Sequence, residues 1–405
     1  MANPLARLLA LTLALLLSAC ATTPAREPRA PVILISIDGF RPDYLERGAT
    51  PTLQRLAGEG ASAVMRPSFP SNTFPNHYTL VTGLRPDQHG IVDNTMTDPQ
   101  IPGVRFAMSN KAAVTDARWW DGGVPIWVSA ERGGVRSGTM FWPGSEAAIR
   151  GVRPSYWRPF DQKVSANDRV DQVLAWLDEP ADRWPRFLTL YFDEVDTAGH
   201  MVGPDSPLMA KSLASTDAAI ARLLEGLKGR GVDANLVIVA DHGMAPISPQ
   251  RVVWLEDVLP AGAAEAVTTG SSAGLVPTPG REAEAERALL AAHPNMTCWR
   301  KGEIPAALAY GRHRRVPPIF CLARTGWLIM SRSRAGAIGS GAHGYDPADP
   351  LMAALFIAHG PDIRPGRLES FDNVEVYGLV MDLLGLTPEP GTAPAAVALR
   401  AAAGD

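Results

Sequence analysis

The sequence predicts an α/β fold: a doubly wound, mostly parallel sheet flanked by helices, with a smaller inserted subdomain. Three observations carry this. Short, nearly unbroken apolar runs, each closed by an Asp, recur at Pro31–Gly39, Arg186–Asp193 and Asn235–Gly243. Such runs are buried parallel strands that deliver an acidic residue at their carboxyl ends. Helical patterns lie between and around them at Thr50–Gly58, Asn167–Leu177 and Ser206–Lys228, which is the alternation of a wound α/β sheet. From about Ala245 to Gly341 the texture changes to Pro- and Gly-rich short-period segments with one helical stretch, Arg281–Ala292. That region is read as the insertion.

The composition agrees. With 46% hydrophobic and 20% charged residues among 405, there is material for a large core, and disordered, collagen-like and coiled-coil chains are excluded. A net charge of -4 with both signs mixed argues against a nucleic-acid-coating protein, which would carry a strongly basic face. Neither sequence-specific nucleic-acid binding nor an obligate protein partner is expected.

In chain order, Met1–Cys20 comes first: one Arg, an apolar run from Leu8 to Leu17, then small residues. The run is short for a bilayer span and has the layout of a secretory signal. Leu17-Ser18-Ala19-Cys20 resembles a bacterial lipobox, with Cys20 lipidated as the first mature residue. The expected organisation is a signal peptide at 1–19, lipidated Cys20 and tether to 30, a catalytic domain at 31–390 with its insertion at about 245–341, and a tail at 391–405. The expected location is the periplasmic face of an outer membrane. In that compartment the two remaining cysteines, Cys298 and Cys321, form a disulfide. It closes a loop that carries the basic run Gly311–Arg315. The Arg residues between Arg132 and Arg186 read as solvated surface, and Ala353–Gly360 as a fourth strand of the same design.

The strand ends assemble a chemical set. Asp38, Asp196, His200, Asp241, His242 and His343 supply three carboxylates and three imidazoles. These are the donors that suit Zn, and two ions can share six such ligands while keeping positions open for substrate. The expectation is a dinuclear hydrolytic centre holding two Zn2+. Thr73, within Ser68–Gly83, precedes an apolar helical stretch, so its hydroxyl sits at a helix amino terminus, where anions are favoured. A metal on that oxygen would turn a poor nucleophile into a competent one. His77 and His89 read as structural residues of the same helix and its exit turn.

The strings ILISIDGFRPDYL, PSFPSNTFPNHYTLVTGLRPDQHGIVDN, DEVDTAGH, ADHGM and GAHGY resemble the nucleotide pyrophosphatase/phosphodiesterase family of the alkaline phosphatase superfamily. The likeness runs from about Pro31 to Leu386 and implies an alkaline-phosphatase-like fold. It implies one Zn on Asp196, His200 and His343, and another on Asp38, Asp241 and His242 with the Thr73 oxygen. Asn94 matches the family's Asn that, with the Thr73 backbone amide, hydrogen-bonds a non-bridging phosphoryl oxygen. The implied chemistry is attack of Thr73 on phosphorus, a covalent phospho-threonine, and release of nucleoside 5′-monophosphates from nucleotide diesters and pyrophosphates. A neutral Asn94 suits the single charge of a diester better than the dianion of a monoester. For the nucleotide base, Phe74 fits one side of a stacking slot and Tyr156 the other. Trp142 and Trp157 could instead line a lipid or leaving-group pocket, and a phospholipid head-group phosphodiesterase or a phosphomonoesterase is the same-superfamily alternative. A catalytically silent lipoprotein would require an incomplete metal set, and none of its members is missing.

Overall fold

The computed structural model describes residues 29–334, 336 and 338–395. The expected signal peptide, Cys20, most of the tether and the end of the tail lie outside the described residues. Six strands of the main sheet are laid down first: β1 (Val32–Ile37), β2 (Ala61–Arg66), β3 (Ser137–Met140), β4 (Tyr156–Arg158), β5 (Phe187–Phe192) and β6 (Asn235–Val239). The chain then builds a second, four-stranded sheet from β7 (Ala264–Thr268), β8 (Ser272–Pro277), β9 (Met296–Arg300) and β10 (Ile319–Ala323), and returns as β11 (Ala354–His359).

β1 lies at the middle of the main sheet, parallel to β5 on one side and to β6 on the other. Every residue of β1, β5 and β6 is buried. Both faces are covered, which is why these strands read as continuous apolar runs rather than alternating ones. β3 and then β4 extend the sheet in parallel beyond β5. β11 breaks the pattern, pairing antiparallel with both β6 and β2. Its direction sends His359 to the edge opposite the carboxyl ends of β1, β5 and β6, where it faces Glu59 at 3.9 Å. The fourth apolar run is therefore a core strand that brings no residue to the site from its carboxyl end.

Among the helices that cover the sheet are α1 (Pro51–Glu59), α2 (Thr73–Thr82), α3 (Ala166–Trp176), α4 (Glu194–Val202) and α5 (Met209–Gly229). On α5 the buried positions Met209, Leu213, Thr216, Ile220, Leu223 and Leu227 recur at three- and four-residue steps, one stripe facing inward. α1, α3 and α4 all pack against α5. Asp217 of α5 accepts the Thr52 and Leu53 amides at 3.0 and 2.8 Å, capping α1, whose own Thr50 makes no side-chain cap.

One expectation about arginines fails here. Arg169 is only 1% exposed, pairs with Asp193 at 2.7 Å and donates to the Tyr191 carbonyl at 2.9 Å. A lone sequence offers no sign of such a buried partner.

The second sheet has its own apolar cluster, including Leu275, Leu289, Met296, Ile319, Ile329 and Tyr345. It leaves the main sheet at Ala245–Pro246 and rejoins it at Gly341–Ala342, and these two short strands pair antiparallel. Cys298 and Cys321 are opposite each other on β9 and β10 and are disulfide-bonded. The basic run in the loop they close is a clamp. The amides of Gly311, Arg312 and His313 converge on Asp87, while Arg314 and Arg315 hold the buried Asp98. Arg315 also donates to the carbonyls of Gly90 and Trp119. Both ends of the segment that carries Asn94 are thus pinned to the second sheet.

Candidate active site

Parallel pairing aligns the strand ends, so Asp38 and Asp241, just past β1 and β6, emerge side by side. Asp196 and His200 stand one turn apart on α4 and share a face. His343 follows the short strand where the chain re-enters the main sheet. The rings of His242 and His343 stack with centroids 3.6 Å apart, so the residues from β6 and from the return segment form one continuous cluster.

Each imidazole is held in the same way. Nδ1 of His200 reaches the Gly341 carbonyl at 2.8 Å, Nδ1 of His242 the Gly243 carbonyl at 2.9 Å, and Nδ1 of His343 the Ser71 carbonyl at 2.9 Å. A carbonyl only accepts, so each Nδ1 carries a proton and each Nε2 is the ring atom left to meet a ligand. The Nε2 atoms face carboxylates. His242 Nε2 lies 3.4 Å from Asp38 Oδ1 and 3.0 Å from Asp241 Oδ2; His200 and His343 Nε2 lie 3.5 and 3.7 Å from Asp196 Oδ1. All three of those carboxylate oxygens are buried without a hydrogen-bond partner.

Imidazole nitrogens and carboxylate oxygens gathered at 3.0–3.7 Å offer a cation a ready set of donors. Burial and the neighbouring Asp241 and Asp196 push the Asp38 carboxyl well above its usual range, and burial also raises Asp196. Burial would raise Asp241 too, but the adjacent His242 and His77 overcome it and hold that carboxyl low. The donor set, its Nδ1 anchors and its orphaned oxygens fit divalent metal of the zinc type. Asp196, His200 and His343 form one possible metal-binding group, and Asp38, Asp196 and His242 another. Asp196 therefore borders both groups.

Thr73 is the first residue of α2 and is buried, with Oγ1 3.3 Å from His242 Nε2. The structure thus brings the expected nucleophile against the expected metal ligands. Asn94 Oδ1 accepts the Phe74 backbone N–H at 2.8 Å, which leaves its amide NH2 group free to face a ligand. His77 has both ring nitrogens engaged: Nδ1 with the Thr73 carbonyl at 2.9 Å and Nε2 with Ser36 Oγ at 2.8 Å. His89 likewise accepts the Ile91 amide and meets Thr79 Oγ1, and burial lowers it to about 3, so it is neutral.

The family model described as type I phosphodiesterase / nucleotide pyrophosphatase matches residues 32–346. The chain belongs to this family. An uncharacterized pyrophosphatase/phosphodiesterase of Schizosaccharomyces pombe is 38% identical, with 91% of this chain and 80% of that protein covered. Ectonucleotide pyrophosphatase/phosphodiesterase family member 1 of Rattus norvegicus is also 38% identical over 91% of this chain, which spans only 42% of that protein's length. Among solved structures, murine ectonucleotide pyrophosphatase/phosphodiesterase 5 superposes with a TM-score of 0.85 at 36% identity, covering 89% of this chain and 96% of that one. An inactive threonine-to-alanine form of the murine protein, in complex with AMP, superposes equally well. The fold is that of this phosphodiesterase family, and the chain is a hydrolase.

Among the aromatic residues, Tyr156 falls differently from the expectation. Phe74 is half-buried, its ring packed edge-on to Phe106 and tilted against Trp120, at 5.6 and 6.0 Å. Tyr156 is not at the phosphodiesterase site. It opens β4 opposite Gly138, which pairs in turn with Leu188, near the amino end of the sheet. There its hydroxyl meets the Arg183 carbonyl and its ring lies against Trp176. Trp142 is 3% exposed and gives its Nε1 hydrogen to the His77 carbonyl, so it lines no open pocket. Trp157 is half-buried beneath the Arg153 guanidinium. The residue that sequence reasoning missed is Phe160, two positions beyond β4 and 37% exposed. Its ring packs on Phe141 and Tyr191 at 5.2 and 5.9 Å, and the Tyr191 hydroxyl bonds Asp38. Its only signal was an aromatic just past a short strand.

Proposed function

We propose that the chain is a two-zinc phosphodiesterase that hydrolyses nucleotide diesters and pyrophosphates to nucleoside 5′-monophosphates through a phospho-threonine. The observation that carries this reading is the cluster of three imidazole Nε2 atoms and three orphaned carboxylate oxygens, one of whose members, His242, lies against Thr73 Oγ1. Asp196, His200 and His343 would hold one ion, and Asp38, Asp241 and His242, with Thr73, the other. Bound zinc supplies Lewis acidity that lowers the Thr73 hydroxyl pKa and stabilises charge on the attacking and departing oxygens. The chain's own groups do the rest. The amino end of α2 sets Thr73 for in-line attack on phosphorus, displacing the leaving group, and water then hydrolyses the ester. Asn94, with its carbonyl oxygen anchored by Phe74, turns its NH2 toward a non-bridging phosphoryl oxygen, with the Thr73 amide beside it.

Phe74 supports one wall of a base slot. Phe160, exposed above Tyr191, is the better candidate for the other. The amino-terminal segment supports an exported protein anchored through lipidated Cys20 to an outer membrane and facing the periplasm.

The test compares the nitrophenyl ester of thymidine 5′-monophosphate, nitrophenyl phosphate and nitrophenyl phosphocholine, each with and without chelator. Chelator-sensitive turnover of the nucleotide diester above the other two is expected. Preference for the phosphocholine or the monoester would overturn the nucleotide assignment, and chelator-insensitive turnover the metal mechanism.

A further inference from the structure

Phe160 is exposed, yet the loop that carries it, residues 159–165 between β4 and α3, is tied to residues outside it. The Phe160 backbone N–H donates to Glu146 Oε1 at 3.1 Å, Gln162 Nε2 donates to Asp193 Oδ2 at 2.9 Å, and Arg169 Nε donates to the Val164 carbonyl at 3.0 Å. Inside the loop, Asp161 closes a turn by accepting the Lys163 amide on its side chain and the Val164 amide on its carbonyl, at 3.0 and 3.1 Å. A loop with only the internal turn would be free to swing as a unit. The outer ties prevent that.

Two of those ties end on one enclosed ion pair. Asp193 faces Arg169 with Oδ1 and Gln162 with Oδ2. The Arg169 guanidinium lies 5.1 Å from the centre of the Phe141 ring and 6.0 Å from that of Phe160, within reach of cation–π attraction. The same group donates to the Tyr191 carbonyl, the residue on which Phe160 also packs. Enclosing an ion pair is a weak source of stability in itself. Here its donors and acceptors are spent on the Phe160 loop and on the backbone beneath the Phe160 ring.

We propose that Glu146, Gln162, Asp193 and Arg169 are positioning residues that hold Phe160 in the orientation in which it stacks on the substrate's base. This rests on the base slot proposed above and names what makes that slot rigid. These residues act through Phe160 and not on the reacting phosphorus. A ring fixed before the substrate arrives loses no conformational freedom on binding, so affinity for the base is kept. The ties should therefore act on KM for substrates that carry a base and leave the chemical step alone.

The test measures KM and kcat for the nitrophenyl ester of thymidine 5′-monophosphate and for bis(4-nitrophenyl) phosphate, a diester without a base. The variants are Gln162→Ala, Glu146→Ala and Glu146→Gln, each also made with Phe160→Ala. Gln162 is exposed and Glu146 is half-buried, so the core ion pair stays intact. Both alanine variants should raise KM for the nucleotide ester about 3- to 5-fold, less than removal of the ring itself, with kcat and the base-free diester within about twofold. Glu146→Gln keeps an acceptor oxygen and should restore most of the loss. With Phe160→Ala in place, Gln162→Ala should add nothing further, because no ring is left to hold. Amide exchange in residues 159–165 should quicken in Gln162→Ala, a readout independent of turnover. Unchanged KM in both alanine variants, with a raised KM in Phe160→Ala, would overturn the positioning role and leave the base slot standing. Unchanged KM in Phe160→Ala would overturn the base slot and the positioning role together. Equal losses on the two substrates, or a full additional loss in the double variant, would show a general disturbance in place of a held ring.

Discussion

The Tyr191 hydroxyl donates to Asp38 Oδ2 at 2.6 Å and leaves Asp38 Oδ1 as the buried oxygen without a partner. A carboxylate with one oxygen tied back offers the other in a fixed direction. Partners of this kind typically alter metal affinity 10- to 100-fold. Tyr191→Phe keeps the ring and its packing but removes the bond, so zinc affinity should weaken by about tenfold with little change in melting temperature. Competition with a chromogenic chelator reads the affinity directly; an unchanged value would mean that Asp38 is oriented by packing alone.

Thr73→Ala should abolish turnover of every substrate while the protein retains its metal and fold. Among the described residues the Thr73 hydroxyl meets His242 Nε2, a residue of the site, and the Thr73 carbonyl that His77 grips is untouched by the substitution. Metal content by mass spectrometry and a melting curve check the second half of that statement. Residual turnover within tenfold of wild type would exclude Thr73 as nucleophile.

How far the sequence discloses this site depends on what kind of order a residue obeys. Asp38 and Asp241 are visible because a two-faced buried strand leaves a continuous apolar run, and the residue ending it is marked. Asp196 and His200 are visible as an i, i+4 pair. Strand direction is not written in such a run, so β11 resembled its parallel neighbours. Tyr156 was misplaced for a related reason: only the pairing register shows that it opens β4 at the far end of the sheet. Arg169 and the Arg314–Arg315 pair depend on carboxylates 24 and more than 200 residues away, separations that local pattern cannot bridge.

Phe160 and Tyr156 therefore separate in a mutational test. Phe160→Ala should raise KM for nucleotide diesters about 5- to 20-fold, the scale of one lost base–aromatic stack, with a smaller effect on kcat. Tyr156→Ala should leave both constants within twofold, since its hydroxyl meets the Arg183 carbonyl and its ring lies against Trp176, outside the site. Steady-state kinetics on the thymidine ester decide; a larger effect from Tyr156→Ala would restore it to the base slot.

Asp98 is wholly buried against Arg315 at 2.5 Å, with Arg314 at 2.8 Å. Burial alone would raise its carboxyl, but the two guanidinium groups overcome that and hold it well below the usual range. Asp98→Ala leaves the Arg315 charge enclosed without a counter-ion, a defect that costs about 3–5 kcal/mol. A denaturant melt should show that loss, and the double variant Asp98→Ala with Arg315→Met should recover part of it. No recovery would mean that the backbone carbonyls bound by Arg315, rather than the ion pair, fix this junction.

Asp93, beside Asn94, gives the opposite pH response. It is 5% exposed, Oδ2 has no hydrogen-bond partner among the described residues, and burial pushes its carboxyl from 3.8 up to about 7. Between those two values the folded protein keeps a proton that the unfolded chain releases, so raising the pH through that window removes stability. Above about 7 the loss is complete and constant. Asp93→Asn fixes the neutral state and can still accept the Thr95 amide through its side-chain oxygen. The variant's stability relative to wild type should therefore grow from pH 5 to pH 8, by about 1–3 kcal/mol. Urea midpoints of both proteins at the two pH values measure it. A difference that stays flat with pH would show that Asp93 is already ionised at pH 5 and that the orphaned oxygen is solvated.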